Sequence, residues 1–379
     1  MFENILHQKK AVELLTSEIA GKVLPASILF HGPHYSAKLT AALETARALS
    51  CLKDGSWSCT CSHCRSHRTL DYPWLMLAGP KPLLPEIEAA AELLKRYRTE
   101  PRRFFLLRSV RKLLKRFDSV LWEGESKLKG TSALEGLQED LETLYPPSPL
   151  EGELPLDRIV EACRTVAGAL PSGGMPIHQV RKLSAWARTT SAGAPKFVIF
   201  ENADRMQEGA RNALLKILEE PPAGTWFFLL TSQKGAVIPT IQSRLRPFAF
   251  AGRTKEEEQD ILAGLFQAEK GAWSGLEDYF QAFDTQKPGL FAQLAETFLS
   301  ELGGPYPFEE QSRFWGEEEN FIHFLRALAE RVAADEQRPL RERERLFRLV
   351  HDAKVRRETY NQSASLLIET LFYQCRSSP

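Results

Sequence analysis

KFVIFENADRMQEGARNALLKILEEPPAGTWFFLLTSQKGAVIPTIQSRLR, residues Lys196 to Arg246, is the stretch whose reading decides the fold. Its first apolar run, Phe197 to Phe200, is short and ends in a cluster of acids and amides, Glu201, Asn202 and Asp204. Such a run reads as a buried strand. Apolar residues then recur three and four apart at Ala210, Ala213, Leu214, Ile217 and Leu218, which is helical spacing. Glu219 and Glu220 close that helix, and Pro221-Pro222 forbids its continuation. A second apolar run, Trp226 to Leu230, lies between Gly224 and Thr231 and reads as another buried strand. Strand, helix, strand in this order predicts a crossover unit of a parallel sheet, whose ligands gather at the carboxyl ends of the strands. The polar residues after Phe200 and Leu230 fall at those ends.

NALLKILEEPP (Asn212–Pro222) followed by TIQSRLR (Thr240–Arg246) resembles the clamp-loader ATPases of bacterial DNA polymerase III and, more broadly, the AAA+ family. In that resemblance the acidic strand end is the Walker B position. Ser243-Arg244 matches the family's Ser-Arg-Cys motif, with Leu245 in place of the cysteine, and implies that Arg244 reaches the nucleotide of a neighbouring subunit. Arg246 offers a second guanidinium nearby, and the sequence does not choose between them.

Composition limits the rest. At 379 residues the chain is too long for one ordinary domain. A hydrophobic content of 43% and a charged content of 26% are those of a globular protein in water. Formal net charge is zero, so any attraction to DNA or a membrane must come from local patches. No apolar run approaches the roughly 20 residues needed to span a bilayer, and MFENILHQKK does not read as a signal peptide. The expectation is a soluble cytoplasmic protein.

Along the chain, residues 9 to 22 carry a helical pattern with Ala11, Leu14, Leu15 and Ile19 on one face. Ala26–Phe30 is a short strand running into HGPHYSAKLTAA. A phosphate-binding loop needs glycines for close backbone approach, a Lys for the β/γ oxygens and a Ser/Thr for Mg²⁺. Gly32, Pro33 and Lys38 stand in the expected places. Tyr35 and Ala37 replace the family's inner glycines, although a backbone there at positive φ disfavours any other residue. Leu39 stands where the Mg²⁺ hydroxyl belongs. Thr40 is turned from that position by about 100° along a helix. At the Walker B end Glu201 replaces the Mg²⁺-side Asp. Asn202 replaces the hydrolytic Glu, and an amide cannot take a proton from water. ATP binding by Gly32, Lys38, Thr40, Glu201 and Asn202 is therefore degenerate, and an atypical strand-to-helix turn with no ligand accounts for the loop equally well.

CLKDGSWSCTCSHCRSH, residues 51 to 67, is similar to the cysteine module of clamp-loader subunits. With no export signal, clustered cysteines favour a metal over disulfides, and a structural Zn²⁺ takes four ligands. Cys51, Cys59, Cys61 and Cys64 make the simplest set. Cys51, Cys61, Cys64 and His67 is the alternative. Cys163 and Cys375 read as inert.

Residues 81 to 154 carry no family resemblance. A basic run (Lys95, Arg96, Arg98, Arg102, Arg103, Arg108, Arg111, Lys112, Lys115, Arg116) interleaves with Phe104 to Phe117, and acids dominate from Glu123 to Glu151. One reading is a DNA-backbone patch. The other is a helical hairpin whose basic arm is solvated or paired with its acidic arm. Pro146, Pro147 and Pro149 make a Pro-rich stretch, and Pro171 with Gly173-Gly174 marks a loop. Thr254 with Glu256 to Glu258 reads as a helix start. Amphipathic helices follow from about Phe291, and Tyr360–Leu371 resembles a terminal collar helix.

The implied fold is α/β: an AAA+ P-loop-type parallel-sheet domain (1–252) with a zinc module (51–67) and a helical insert (about 81–154). A small helical lid domain (253–290) and an all-α collar domain (291–379) complete it. The two degenerate motifs resemble the delta-prime type of subunit, which keeps the fold and the arginine without its own ATPase. Implied partners are gamma/tau and delta subunits, the sliding clamp and, through the complex, primer–template DNA, with no membrane. A gamma/tau-like ATPase motor and a DNA-binding regulatory AAA+ protein remain as alternatives.

Overall fold

Within each short apolar run, neighbouring side chains point to opposite faces of a sheet, and here both faces are covered. The computed structural model describes residues 1–79, 84–124, 131–146, 148–170, 175–283, 290–315, 318–335, 338–360 and 362–376. Lys81, Pro147 and the Pro171–Gly174 loop lie outside the described residues. The chain divides into two compact units, Met1–Phe283 and residues 284–379.

The first unit holds strands β1 (Ser27–His31), β2 (Leu75–Ala78), β3 (Lys196–Phe200), β4 (Thr225–Thr231) and β5 (Arg246–Ala249). They form one parallel sheet in the order β2-β3-β4-β1-β5. Its helices are α1 (Lys9–Ala20), α2 (Lys38–Ser50), α3 (Ser62–Arg68), α4 (Leu84–Arg96), α5 (Glu100–Leu114), α6 (Ser119–Trp122), α7 (Thr131–Thr143), α8 (Leu156–Ala167), α9 (Ile177–Ala187), α10 (Glu208–Glu219), α11 (Pro239–Gln242), α12 (Lys255–Leu265) and α13 (Leu276–Ala282). The expected crossover is present: β3 and β4 pair in parallel with Val198 opposite Phe227, and α10 connects them. Val198, Phe200, Phe227 and Leu229 share one core with Leu214 and Ile217 of α10. Phe197, Ile199, Phe228 and Leu230 point the other way, into a core with α1 and α2.

Leu14, expected on the buried face of α1, is exposed, whereas Glu18 is buried. Glu18 tolerates that place because Arg246 of β5 reaches it at 2.8 Å. The basic run is not one helix. It breaks at Tyr97–Thr99 into α4 and α5, with Pro101 in the first turn of α5, where its missing N–H costs no helical bond. Leu106, Leu107, Val110 and Leu113 of α5 pack against α4, α7 and α8. Ala89 and Leu93 of α4 join Ile261, Leu262, Phe266, Leu276 and Tyr279 in a separate core, which fixes α12 and α13 to α4. Thr254 caps α12 in a capping box with Glu257, as its sequence predicts.

The second unit consists of α14 (Leu290–Ser300), α15 (Ser312–Trp315), α16 (Glu318–Ala334), α17 (Leu340–Tyr360) and α18 (Ala364–Arg376) around Phe298, Trp315, Phe324, Leu328 and Phe372. Tyr360–Leu371 is therefore not a single helix: α17 ends at Tyr360 and α18 starts at Ala364. No described helix is long and apolar enough to cross a membrane.

Candidate functional site

The carboxyl edge of the sheet carries the loop after β1, Glu201-Asn202 after β3 and Thr231-Ser232 after β4. Together with α4, α5, α12 and α13 they line a cavity of about 480 Å³. Gly32 opens the loop at φ +153°, and a Cβ there would meet the Phe250 carbonyl oxygen at 2.2 Å. Only glycine fits. Tyr35 and Ala37 both adopt left-handed backbone, with φ 57° and 67°. Each costs on the order of 1–2 kcal/mol relative to glycine, so other contacts hold the loop. The Tyr35 ring stacks on Phe280 of α13 at 5.6 Å and 11°, Arg253 donates to its carbonyl, and Ser36 Oγ donates to Pro33 O at 2.8 Å. Lys38 Nζ donates to Gly32 O at 2.7 Å and to Pro33 O and Ser36 Oγ, which folds it onto its own loop. Leu39 and Thr40 both reach the cavity wall.

At the acidic end, Asp204 accepts from the Thr231 hydroxyl, joining the ends of β3 and β4. Asn202 has left-handed backbone, φ 50°. Glu201 is buried, and its carboxylate is ion-paired with Arg116, itself 1% exposed. Arg116 also donates from Nε to Gly79 O at 3.1 Å, and its partner acid packs so tightly on Gly79 that a Cβ there would lie 2.8 Å from Glu201 Cβ. A protein guanidinium thus neutralises the carboxylate that faces the cavity. Nothing in the sequence singled out Arg116 among its basic neighbours.

Those neighbours follow the same logic. Arg108 donates to His67 O and Arg68 O and reaches Glu44 at 3.3 Å. Arg111 pairs with Asp71, Lys112 with Glu86, and Lys115 Nζ donates to Tyr72 O at 3.1 Å. Arg103 donates to Ser148 O at 2.6 Å, and Arg98 to Gly152 O at 2.6 Å. Among the described residues the inner cations of the basic arm pair with Glu44, Asp71, Glu86 and Glu201 and with main-chain carbonyls, not with the acids of Glu123–Glu151, and so do not form a free DNA-facing patch. Replacing Arg116 with Met should destabilise the first unit by about 3–5 kcal/mol, because it strands a buried carboxylate. Equilibrium denaturation measures this, and adding Glu201→Gln should restore most of the loss.

Arg244 lies just after α11, on the surface. Its Nε donates to Glu219 Oε1 at 2.7 Å, and the pair is part-exposed at 30% and 47%. Arg246 faces away on β5, held by Glu18. Leu245 fills the core between them.

In the cysteine segment, α3 begins at Ser62 with Cys61 as its cap, accepting from the Cys64 N–H at 3.4 Å. The Sγ atoms of Cys51, Cys59, Cys61 and Cys64 all lie within 4.8 Å of one another. Cys51 is 3.6 Å from Cys59 and 4.0 Å from Cys61. Those separations are far beyond a disulfide's S–S bond. They bracket the edge of about 3.8 Å that a tetrahedron with bonds of about 2.3 Å requires, so the group fits a four-thiolate metal such as zinc. Burial pushes the Cys64 thiol up to about 12 against the pull of Arg47. The Cys61 thiol is brought down to about 6 despite burial, by N–H donors from Cys64 and Leu52. His67, the alternative ligand, is elsewhere: its ring stacks on Tyr72 at 4.1 Å, and neither nitrogen has a hydrogen-bond partner. Burial, with Arg108 and Arg47 nearby, lowers its pKa to about 2, so it is a neutral core side chain. Burial also pushes Cys163 and Cys375 up to about 12, in keeping with inert thiols.

Comparison with known proteins matches residues 7–118 and 151–254 to the family DNA polymerase III, delta subunit. The gap between the two blocks is 119–150, shorter than the 81–154 segment set apart by reading the sequence. The DNA polymerase III subunit delta' of Escherichia coli (strain K12) is 46% identical over 65 residues, 17% of this chain and 19% of that protein. The corresponding protein of Haemophilus influenzae is 28% identical over 130 residues, 31% of this chain and 40% of its own length. Human replication factor C subunit 5 is 33% identical over 105 residues, 28% of this chain and 30% of that one. These matches span less than half of each relative. The family match covers more than half of the 379 residues, on both sides of the cavity. The chain belongs to the DNA polymerase III, delta subunit family, the clamp-loader proteins that its Asn212–Arg246 stretch resembles.

Proposed function

We propose that the chain is a delta-prime-type subunit of a cytoplasmic clamp loader. It sits beside gamma/tau and delta subunits in the ring that places the sliding clamp on primer–template DNA. In this reading the part described as 1–252 is the base, 253–290 the lid and 291–379 the collar that joins subunits. A structural Zn²⁺ on Cys51, Cys59, Cys61 and Cys64 stiffens the base, and Arg244 acts in trans on a neighbour's ATP. The subunit does not hydrolyse ATP itself. The observation that carries this is the ion pair of Arg116 with Glu201: the carboxylate in the Mg²⁺ position already has its cation, and the adjacent Asn202 cannot serve as a base.

An ATPase motor reading has one observation in its favour, a cavity of about 480 Å³ with Lys38 on its wall. Steady-state phosphate release by the purified chain decides between them. No turnover alone, with turnover restored when motor subunits are added, is the expected result. Brisk hydrolysis by the isolated chain would overturn it.

A further inference from the structure

Arg47, near the end of α2, is 0% exposed, and the five N–H groups of its guanidinium have five acceptors. Nε donates to Glu44 Oε2 at 2.7 Å. One terminal nitrogen donates to Ser56 O at 3.0 Å and Cys64 Sγ at 3.3 Å, and the other to Met1 O at 2.9 Å and Gly55 O at 3.2 Å. Ser56 and Gly55 belong to the loop that links Cys51 to Cys59. Cys64 is one of the four converging thiols, and Trp57 from the same loop covers the guanidinium at 5.7 Å. One side chain from the sheet domain thus touches the loop, a ligand sulfur and the chain start together.

We infer that Arg47 is the positioning residue of the metal module, its fork fixing the Gly55–Ser56 loop and donating to the Cys64 thiolate. The inference rests on the four-cysteine reading of the metal site. Four thiolates around a dication carry two negative charges in excess, and buried charge is costly unless compensated. Arg47 brings a cation to the sulfur itself. The acid it pairs with, Glu44, is shared with Arg108, so that the carboxylate does not cancel Arg47 alone. A lysine cannot do the same, because three donors on one nitrogen do not span Glu44, Ser56, Cys64, Met1 and Gly55.

The test uses the full chain with zinc, and with Co²⁺ in its place as a spectroscopic probe. Zinc release to a chromophoric chelator is followed for wild type, Arg47→Lys, Arg47→Met and Arg68→Ala. The last loosens the same loop, since Arg68 donates to Trp57 O, but it touches no sulfur. Release should quicken by about 10–100-fold in the Arg47 variants, the usual effect of losing a partner that orients a metal ligand. Their thiolate-to-Co²⁺ charge-transfer band should shift, while Arg68→Ala leaves the band in place. Should Arg47→Met fail to fold, Arg47→Lys carries the test. Unchanged release and an unmoved band in Arg47→Lys would overturn the inference. A wild-type chain that holds no zinc would instead overturn the metal reading on which it rests.

Discussion

Replacing Arg244 with alanine in the assembled complex should leave assembly intact and slow turnover at the neighbouring ATP site it serves by about 10³ to 10⁵, the contribution of an arginine finger to phosphoryl transfer. The geometry explains why the residue is available. Arg244 follows a one-turn helix whose Pro239 start and buried Ile241 anchor fix its direction. Its partner Glu219 is half in solvent, and an exposed ion pair of that kind contributes at most about 1 kcal/mol. In the proposed role a neighbour's γ-phosphate, which carries more charge, would fork onto the same guanidinium. Glu219 would then be a holder that yields. Arg246 differs, since Glu18, its partner, is 10% exposed and the pair ties β5 to α1. Arg246→Ala should therefore cost stability and leave turnover near wild type. Steady-state ATPase on the reconstituted complex with each variant separates the two arginines. Unchanged turnover in Arg244→Ala removes the finger assignment.

The sheet was legible where chemistry is local. Phe197–Phe200 and Trp226–Leu230 are too short and too apolar for anything but covered strands, and Pro221-Pro222 leaves the intervening helix no other end. Asn202 and Tyr35 could be flagged because a single residue type carries their consequence. The basic arm was illegible for the opposite reason. Arg116 and Glu201 stand 85 residues apart, and Arg108 and Glu44 stand 64 apart. No period in the sequence marks an arginine that turns inward to a distant carboxylate, since its local pattern equals that of a solvated helix face. Leu14 shows the same limit from the apolar side. Helical spacing places it on the stripe, but Glu18, satisfied by Arg246, takes the buried position. The choice between Cys59 and His67 needed the third dimension, because one residue between Cys59 and Cys61 is an irregular ligand spacing that the loop 52–58 absorbs.

Stripping the metal should release the segment from Cys51 to Cys61 and lower the stability of the first unit. In small zinc domains the ion supplies about 10–16 kcal/mol of apparent folding free energy. Here part of that is replaced by packing, because Cys64, His67, Leu70 and Tyr72 are buried against the sheet. The loop 52–58 has no such support. Leu52 is 63% exposed, and among the described residues the loop's side-chain ties to the rest of the fold come from Arg47 and Arg68, besides a Ser56 N–H bond to Asp54 within it. Without the ion the four sulfurs keep only weak S–H···S contacts, and the ties from Arg47 and Arg68 offset only part of the loop's ordering entropy, on the order of 1–2 kcal/mol per residue. Hydrogen exchange after treatment with a strong chelator under reducing conditions should show protection lost over residues 51–61, with β1, β3 and β4 still protected. The thermal transition should fall together with it, and Cys64→Ser should reproduce both effects in the presence of zinc. Because neither ring nitrogen of His67 has a hydrogen-bond partner, His67→Phe should leave metal content at one ion per chain. A loss of metal in that variant would mean that the histidine, not Cys59, completes the site.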